Sequence, residues 1–478
     1  MAHDSLDTMF YPKSIALIGA SQNPKSFGMF YLQHLIEYGY KGTVYPINPK
    51  LPEIMGFKAY TSLDQVPGPV DYVIYCIGLN NLLEILPQCK RKEVKIVHIM
   101  AGRGAETGRV EAKQLEADIQ RLGKELGIRL LGPNCLGVYC PKSGLSFGYD
   151  FPKEPGEVGA ILQSGGNSTD LIRFGSLRGL RFSKVVSYGN GIDINQNDLL
   201  EYLTHDPDTK IILCYMEGLK GDPKRFLKAL KEAAQKKPVV ICKAGRTSAG
   251  TRQSLSHTAS LAGSAAIFKT AIKQSGAMMV NNLDELIDQA VAFSFMPRIT
   301  GRRIALGGGG GGRNVLTSDE WEEHGFQVPA LPQEIREEWK RRGSQIWDWL
   351  ENPADFSITP GDICTIADAI ILMSQNDTFD FIVATVTEDM PFAKDYFLEE
   401  INVQTDGFIK AKKGSKKGFA VVFTPRPMGA TDMDHWRWKG FAEARTRMIN
   451  EKIASFATVS DAAKAIERLI NYYQQHKD

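Results

Sequence analysis

Residues suited to holding a phosphate appear early in the chain. The stretch SIALIGASQNPKSFG (14–28) reads as a strand, a turn of small residues and the start of a helix, with Gly19, Ala20, Ser21, Ser26, Phe27 and Gly28 at the turn. Such a turn sets backbone N–H groups and a helix N-terminus against a phosphate or pyrophosphate. Without a ligand it is an ordinary strand-to-helix connection. A nicotinamide dinucleotide site would add G-x-G-x-x-G and an acidic residue about 20 positions on for the ribose hydroxyls; neither is present. The second predicted strand ends instead in Pro46-Ile47-Asn48-Pro49-Lys50. A lysine there suits the 3′-phosphate of coenzyme A better than a free ribose diol, although taken alone Lys50 also reads as a solvated surface lysine.

Two other segments place anion-binding or transferable groups beside glycines. In VGAILQSGGNS (158–168) a strand leads through Ser164, Gly165, Gly166 and Asn167 into a helix whose first N–H groups are free to meet an anion. In SLSHTASLAGS (254–264) the small neighbours Ser256, Thr258 and Ser260 surround His257 in a predicted loop, ahead of a helix from about Ser264. A lone histidine in such a loop also reads as solvent-facing. The run Gly307 to Gly312 is not a Walker A loop, because it continues into Arg313-Asn314 where that motif has G-K-[ST].

Strand-length apolar runs alternate with amphipathic stretches throughout, the pattern of βα units and parallel sheets. SIALIGA, GTVYPIN, DYVIYCIG, VKIVHIM and IRLLGPN make a first block. The Pro- and Gly-rich passage 141–156 reads as a linker, after which VGAILQSGG, KVVSYGN, KIILCYMEG, PVVICKAG and AMMVNN make a second block. RRIALGGGGGG, FDFIVATV, KGFAVVF and a closing helix near 460–474 make a third, in which 332–378 looks irregular and Trp-rich. The expected domains are 1–145, 155–298 and 302–478.

GASQNPKSFG, PINPK, IMAGRGAE, LLGPNCLGV and ILQSGGNS follow in the order and spacing of the CoA-binding half of NDP-forming acyl-CoA synthetases, and SLSHTASLAGS is similar to that family's phosphohistidine loop. The chain thus resembles the alpha subunit of succinyl-CoA synthetase and of ADP-forming acetate–CoA ligases. The resemblance implies an α/β protein: a Rossmann-like CoA-binding domain, then two flavodoxin-like, succinyl-CoA synthetase-like domains. It implies CoA binding by the first turn, Asn48, Lys50, Ala101, Gly102 and Asn134, and phosphate binding by Ser164 to Asn167. His257 would be the phosphoryl acceptor, and Glu217, at the end of IILCYMEG, the carboxylate that orients it. A non-catalytic CoA-binding protein of the same fold is the alternative, and it would not need His257 and Glu217 together.

The remaining expectations concern partners. Lys+Arg 57 against Asp+Glu 55 leaves a net charge of +2, too small a field to recruit nucleic acid or a membrane surface. Seven cysteines without C-x-x-C indicate neither a disulfide framework nor a zinc site, and no metal ligand set is evident. Without an apolar span or a signal-like N-terminus the chain is expected to be cytoplasmic. No ATP-grasp signature follows the third block. The resemblance therefore implies a separate ATP-grasp beta subunit, a heterotetramer, nucleotide and Mg held by that partner, and a small carboxylic acid or its acyl-CoA as substrate.

Overall fold

The computed structural model describes residues 4–258, 265–359, 361–386, 392–423 and 434–476, of which 4–5, 254–258 and 265 are described in backbone only. Two compact units divide the chain, Met1–Leu286 and Ile287–Asp478.

The first unit holds two sheets. The first begins with β1 (Ser14–Ile18) and β2 (Thr43–Ile47), passes a short hairpin of β3 (Glu53–Ile54) and β4 (Phe57–Lys58), and continues with β5 (Tyr72–Tyr75), β6 (Ile96–Ile99) and β7 (Arg129–Leu131). Its order is β2-β1-β5-β6-β7, with every pair parallel. Helices such as Phe27–Glu37 and Val110–Leu126 return the chain between strands. Covered on both faces, the strands are nearly continuous apolar runs, and all four residues of YVIY in β5 are buried.

The second sheet contains β8 (Gly137–Tyr139), β9 (Val158–Leu162), β10 (Phe182–Ser187), β11 (Ile211–Met216), β12 (Val239–Lys243) and β13 (Met278–Val280), ordered β13-β12-β11-β9-β10-β8. Only β8 runs antiparallel, along β10. In both sheets the parallel strands therefore follow the same doubly wound order. The chain reverses direction of travel between β1 and β5, and again between β9 and β11, and such switch points open a crevice at the carboxyl ends of the strands.

Two sequence expectations change here. The edge strand β8 was not foreseen, since GVY is too short to stand out beside LLGPNCL. The passage 141–156 is not an exposed linker: Leu145, Phe147 and Phe151 are buried, and the Tyr38 hydroxyl donates to the Phe151 carbonyl at 2.9 Å. Its glycines and prolines shape a packed loop because apolar residues recur between them.

The second unit is built on β14 (Ile304–Gly308), β15 (Phe381–Val386), β16 (Gly418–Phe423) and β17 (Ala454–Phe456), parallel and adjacent in that order. A bridge between Arg303 and Gln327 stands where a fifth strand would lie beside β14. The stretch expected to be irregular contains the helices Gln333–Arg342 and Ile366–Gln375, and the fully buried Trp339 packs into the core with Phe397, Phe408 and Phe419. The closing helix is Val459–Gln475.

Candidate functional site

The first crevice is built from backbone. Ile18 pairs with Ile47 on one side and Tyr75 on the other, so the turns that follow β1, β2 and β5 leave the sheet at one level. Gly19 turns out with φ +88, and a Cβ on Gly28 would stand 1.9 Å from the Gly19 carbonyl oxygen. Only glycine lets the helix come this close to the turn. Ser26 caps that helix by accepting from Met29 N–H at 3.2 Å, and Ser21 accepts from Asn23 N–H at 3.0 Å. Ala20 is buried and Phe27 is exposed. Asn48 ties two turns together: its amide donates to the Ala20 carbonyl at 2.8 Å, and its Oδ1 accepts from Lys50 and Leu51 N–H. Asn48 thus shapes the turn, whereas the Lys50 side chain is exposed at its rim.

Beyond β6, Ala101 and Gly102 open a loop held by two carboxylates. Glu106 accepts from Arg103 N–H at 2.5 Å and Gly104 N–H at 3.0 Å, and Glu116 accepts from Ala105 N–H at 2.7 Å. Asn190, from the loop after β10, donates to both, at 2.8 and 2.7 Å. Burial pushes the Glu116 carboxyl above its ordinary range, with the Ala105 and Asn190 donors opposing that shift. Asn134, in the left-handed region at φ +59, donates its N–H to the Ala101 carbonyl at 3.0 Å.

The second crevice begins two residues past the end of β9. Leu162 pairs with Tyr215, so Ser164 and Glu217 leave adjacent strands at the same level. Ser164 caps the helix Gly165–Leu177, accepting from Asn167 N–H at 3.3 Å, which leaves the N–H groups of Gly165 and Gly166 at the open end. Glu217 is half-buried, and the Tyr215 hydroxyl donates to its Oε1 at 3.4 Å. Residues 132–136 join the two crevices. The Asn134 Oδ1 lies 3.1 Å from where a Cβ on Gly102 would be, and Leu136 would be met at 2.9 Å by a Cβ on Gly165. The loop after β6 and the turn after β9 therefore both pack against one short segment.

His257 falls in the last turn of the helix Ser248–Thr258, not in a loop. Arg252, Gln253 and Leu255, good helix formers, extend the helix past the small residues. The helix packs against the turn Ala105–Thr107, beside the loop after β6. The His257 side chain lies outside the described residues, as do Ala259 to Ser264.

Several residues at the site were not singled out by sequence. Gln163 accepts from Glu217 N–H at 2.8 Å and from Gly218 N–H at 3.2 Å. Lys243 donates to the Glu217 carbonyl at 2.8 Å. Burial lowers the pKa of Lys243 and of Lys220, and Glu217 opposes that shift in both. A polar residue ending a buried apolar strand, as in ILQ and VICK, is the signal that marks the first two. Burial pushes the thiol of Cys76, near the first crevice, far up.

The glycine run divides in two. A Cβ would meet Ile370 at 2.6 Å from Gly307, the Thr385 carbonyl at 2.0 Å from Gly308 and Asn314 at 2.8 Å from Gly309, so these three are sterically required. Gly310 and Gly312 face open space at the start of the helix Gly311–Glu323, which has no side-chain cap.

Residues 13–141 match the family model for a CoA binding domain, and 155–293 that for a succinyl-CoA ligase like flavodoxin domain. The chain is 39% identical over 340 residues to the acetate–CoA ligase [ADP-forming] I subunit alpha of Pyrococcus furiosus, covering 70% of this chain and 72% of that one. It is 38% identical over 320 residues to the acetate–CoA ligase [ADP-forming] of Methanocaldococcus jannaschii, covering 66% of this chain but 44% of that longer protein. Among solved structures, the acetyl-coenzyme A synthetase 1 of Ca. Korarchaeum cryptofilum, in complex with phosphate and ADP, superposes with a TM-score of 0.80 at 28% identity, covering 98% of this chain and 97% of that one. With two switch-point crevices joined by one segment, and with alpha subunits as its relatives over most of its length, the chain belongs to the family of ADP-forming acetate–CoA ligase alpha subunits.

Proposed function

We propose that this chain binds acyl-CoA in the first crevice, cleaves it with phosphate at the second, and carries the phosphoryl group on His257 toward a nucleotide. The observation that supports the reading is the segment 132–136, which has Gly102 against Asn134 and Gly165 against Leu136; a thioester in the first crevice and a phosphate in the second would then be within reach of each other. Phosphate attacks the thioester carbonyl and CoA leaves as its thiol, giving an acyl phosphate. The imidazole of His257 then attacks phosphorus and the carboxylate departs. Glu217 holds the proton on the other ring nitrogen, so that the attacking nitrogen keeps its lone pair and the positive charge that forms is offset. Reaction of phospho-His257 with a nucleoside diphosphate completes acyl-CoA + NDP + phosphate ⇌ acid + CoA + NTP.

In this reading Gly19, Ala20, Ser21, Ser26 to Gly28, Ala101, Gly102 and Asn134 line the CoA path, with Asn48 shaping it and Lys50 meeting the 3′-phosphate. Ser164 to Asn167 receive the phosphate. The first and second sheets and the second unit serve as three functional domains. Nucleotide and Mg belong to an ATP-grasp beta subunit in a cytoplasmic heterotetramer, and the substrate is a small carboxylic acid. Reconstitution is the test. The purified chain with an ATP-grasp subunit should turn acetyl-CoA, ADP and phosphate into acetate, CoA and ATP, and each alone should not. Robust ATP formation by the chain alone, or none by the reconstituted pair with any short-chain acyl-CoA, would refute the proposal.

A further inference from the structure

Glu217 has both of its backbone polar groups tied to side chains. Its N–H and that of Gly218 donate to Gln163 Oε1, and Gln163 is 4% exposed. The Glu217 carbonyl accepts from the Lys243 ammonium at 2.8 Å. Lys243 is 7% exposed, donates also to the Ala244 carbonyl, and stands 5.8 Å from the centre of the Phe268 ring. Among the described residues its hydrogen bonds go to these two carbonyls. A buried cation held by carbonyls alone is expensive to keep charged, and a neutral donor would serve the same two carbonyls. What distinguishes a lysine at this place is its charge.

We propose that Gln163 and Lys243 form a clamp that positions Glu217, and that Lys243 adds the cation that favours its ionised form. This rests on the role given to Glu217 above. Among the described residues, the groups that act on Glu217 include Tyr215 on its own strand, Lys220 just after it and Tyr188 just past β10, with Arg246 beyond Lys243. Lys243 also holds the Glu217 peptide. Its cation favours the carboxylate as the reciprocal of the way Glu217 favours the protonated lysine.

The test measures the initial rate of phosphoryl labelling from acetyl phosphate between pH 5 and 9, in the chain assembled with its partner subunit. Lys243→Gln keeps a donor and removes the charge; Lys243→Arg keeps the charge. Removing the charge makes Glu217 harder to ionise, so Lys243→Gln should slow labelling about ten- to hundredfold, in the usual range of a positioned acid–base group or below, and move the acid limb to higher pH. Lys243→Arg should keep the limb in place. In a Glu217→Gln background Lys243→Gln should have little further effect, because the two act as one unit. An unmoved limb in Lys243→Gln, or an equal loss in both backgrounds, overturns the proposal while leaving the phosphohistidine reading intact. A wild-type assembly that takes no label defeats that reading, and this one with it.

Discussion

Lys50 and Asn48 divide the work of one motif. PINPK was read as a CoA signal, and the two polar residues in it do different things: Asn48 spends its side chain on Ala20, Lys50 and Leu51, whereas the Lys50 side chain is exposed. A charge-assisted contact contributes about 1.5–3 kcal/mol. Lys50→Ala should therefore weaken CoA about ten- to hundredfold and leave dephospho-CoA unchanged in calorimetric titration. Equal loss for both ligands would remove the 3′-phosphate from the account. Gln163 and Lys243 were not legible in the same way, because their importance lies in bonds to the Glu217 backbone, and a sequence does not show which peptide a distant side chain will reach.

At the scale of elements, the long apolar runs were readable because burial on both faces demands them, and each strand expected in the three blocks is found at its segment, β10 starting two residues earlier, at Phe182. The two-residue strands β3 and β4, the three-residue strands β8 and β17 and the helix around His257 were not, since their conformations are decided by neighbours rather than by local pattern. The approach of the helix Phe27–Glu37 to the turn after β1 depends on one hydrogen atom. In Gly28→Ala the new methyl cannot coexist with the Gly19 carbonyl at 1.9 Å, so helix and turn must separate. The expected cost is about 1–3 kcal/mol in urea unfolding. CoA affinity should fall about tenfold or more, each 1.4 kcal/mol being a factor of ten. Wild-type CoA affinity in a folded Gly28→Ala variant would show that the crevice does not need this contact.

For the molecule, the doubly wound order repeated in two sheets of one unit gives each sheet a switch point of its own. His98, in β6, sits where these sheets meet: its Nε2 lies 3.1 Å from the Cys135 carbonyl, and a Cβ on Gly137 of β8 would touch its ring at 2.4 Å. Burial lowers its pKa from 6.5 to about 4. Between those values the unfolded chain binds a proton that the folded chain refuses, so stability is full above pH 6.5 and is lost as pH falls toward 4. The linkage amounts to roughly 3 kcal/mol. His98→Gln should flatten the dependence of unfolding free energy on pH in this window, and an unchanged slope would mean that His98 is not its source.

Phospho-His257 is a covalent intermediate, and trapping it tests the proposed reaction most directly. The chain, assembled with the proposed ATP-grasp subunit and treated with acetyl phosphate, should gain one phosphoryl group that mass spectrometry places on His257. The adduct should be lost in acid and kept in base, as a phosphoramidate is. His257→Ala should take no label, and Glu217→Gln should label about 10²- to 10⁴-fold more slowly, the usual effect of a positioned acid–base group. Label on another residue, or a His257→Ala assembly that labels at the wild-type rate, would contradict the account.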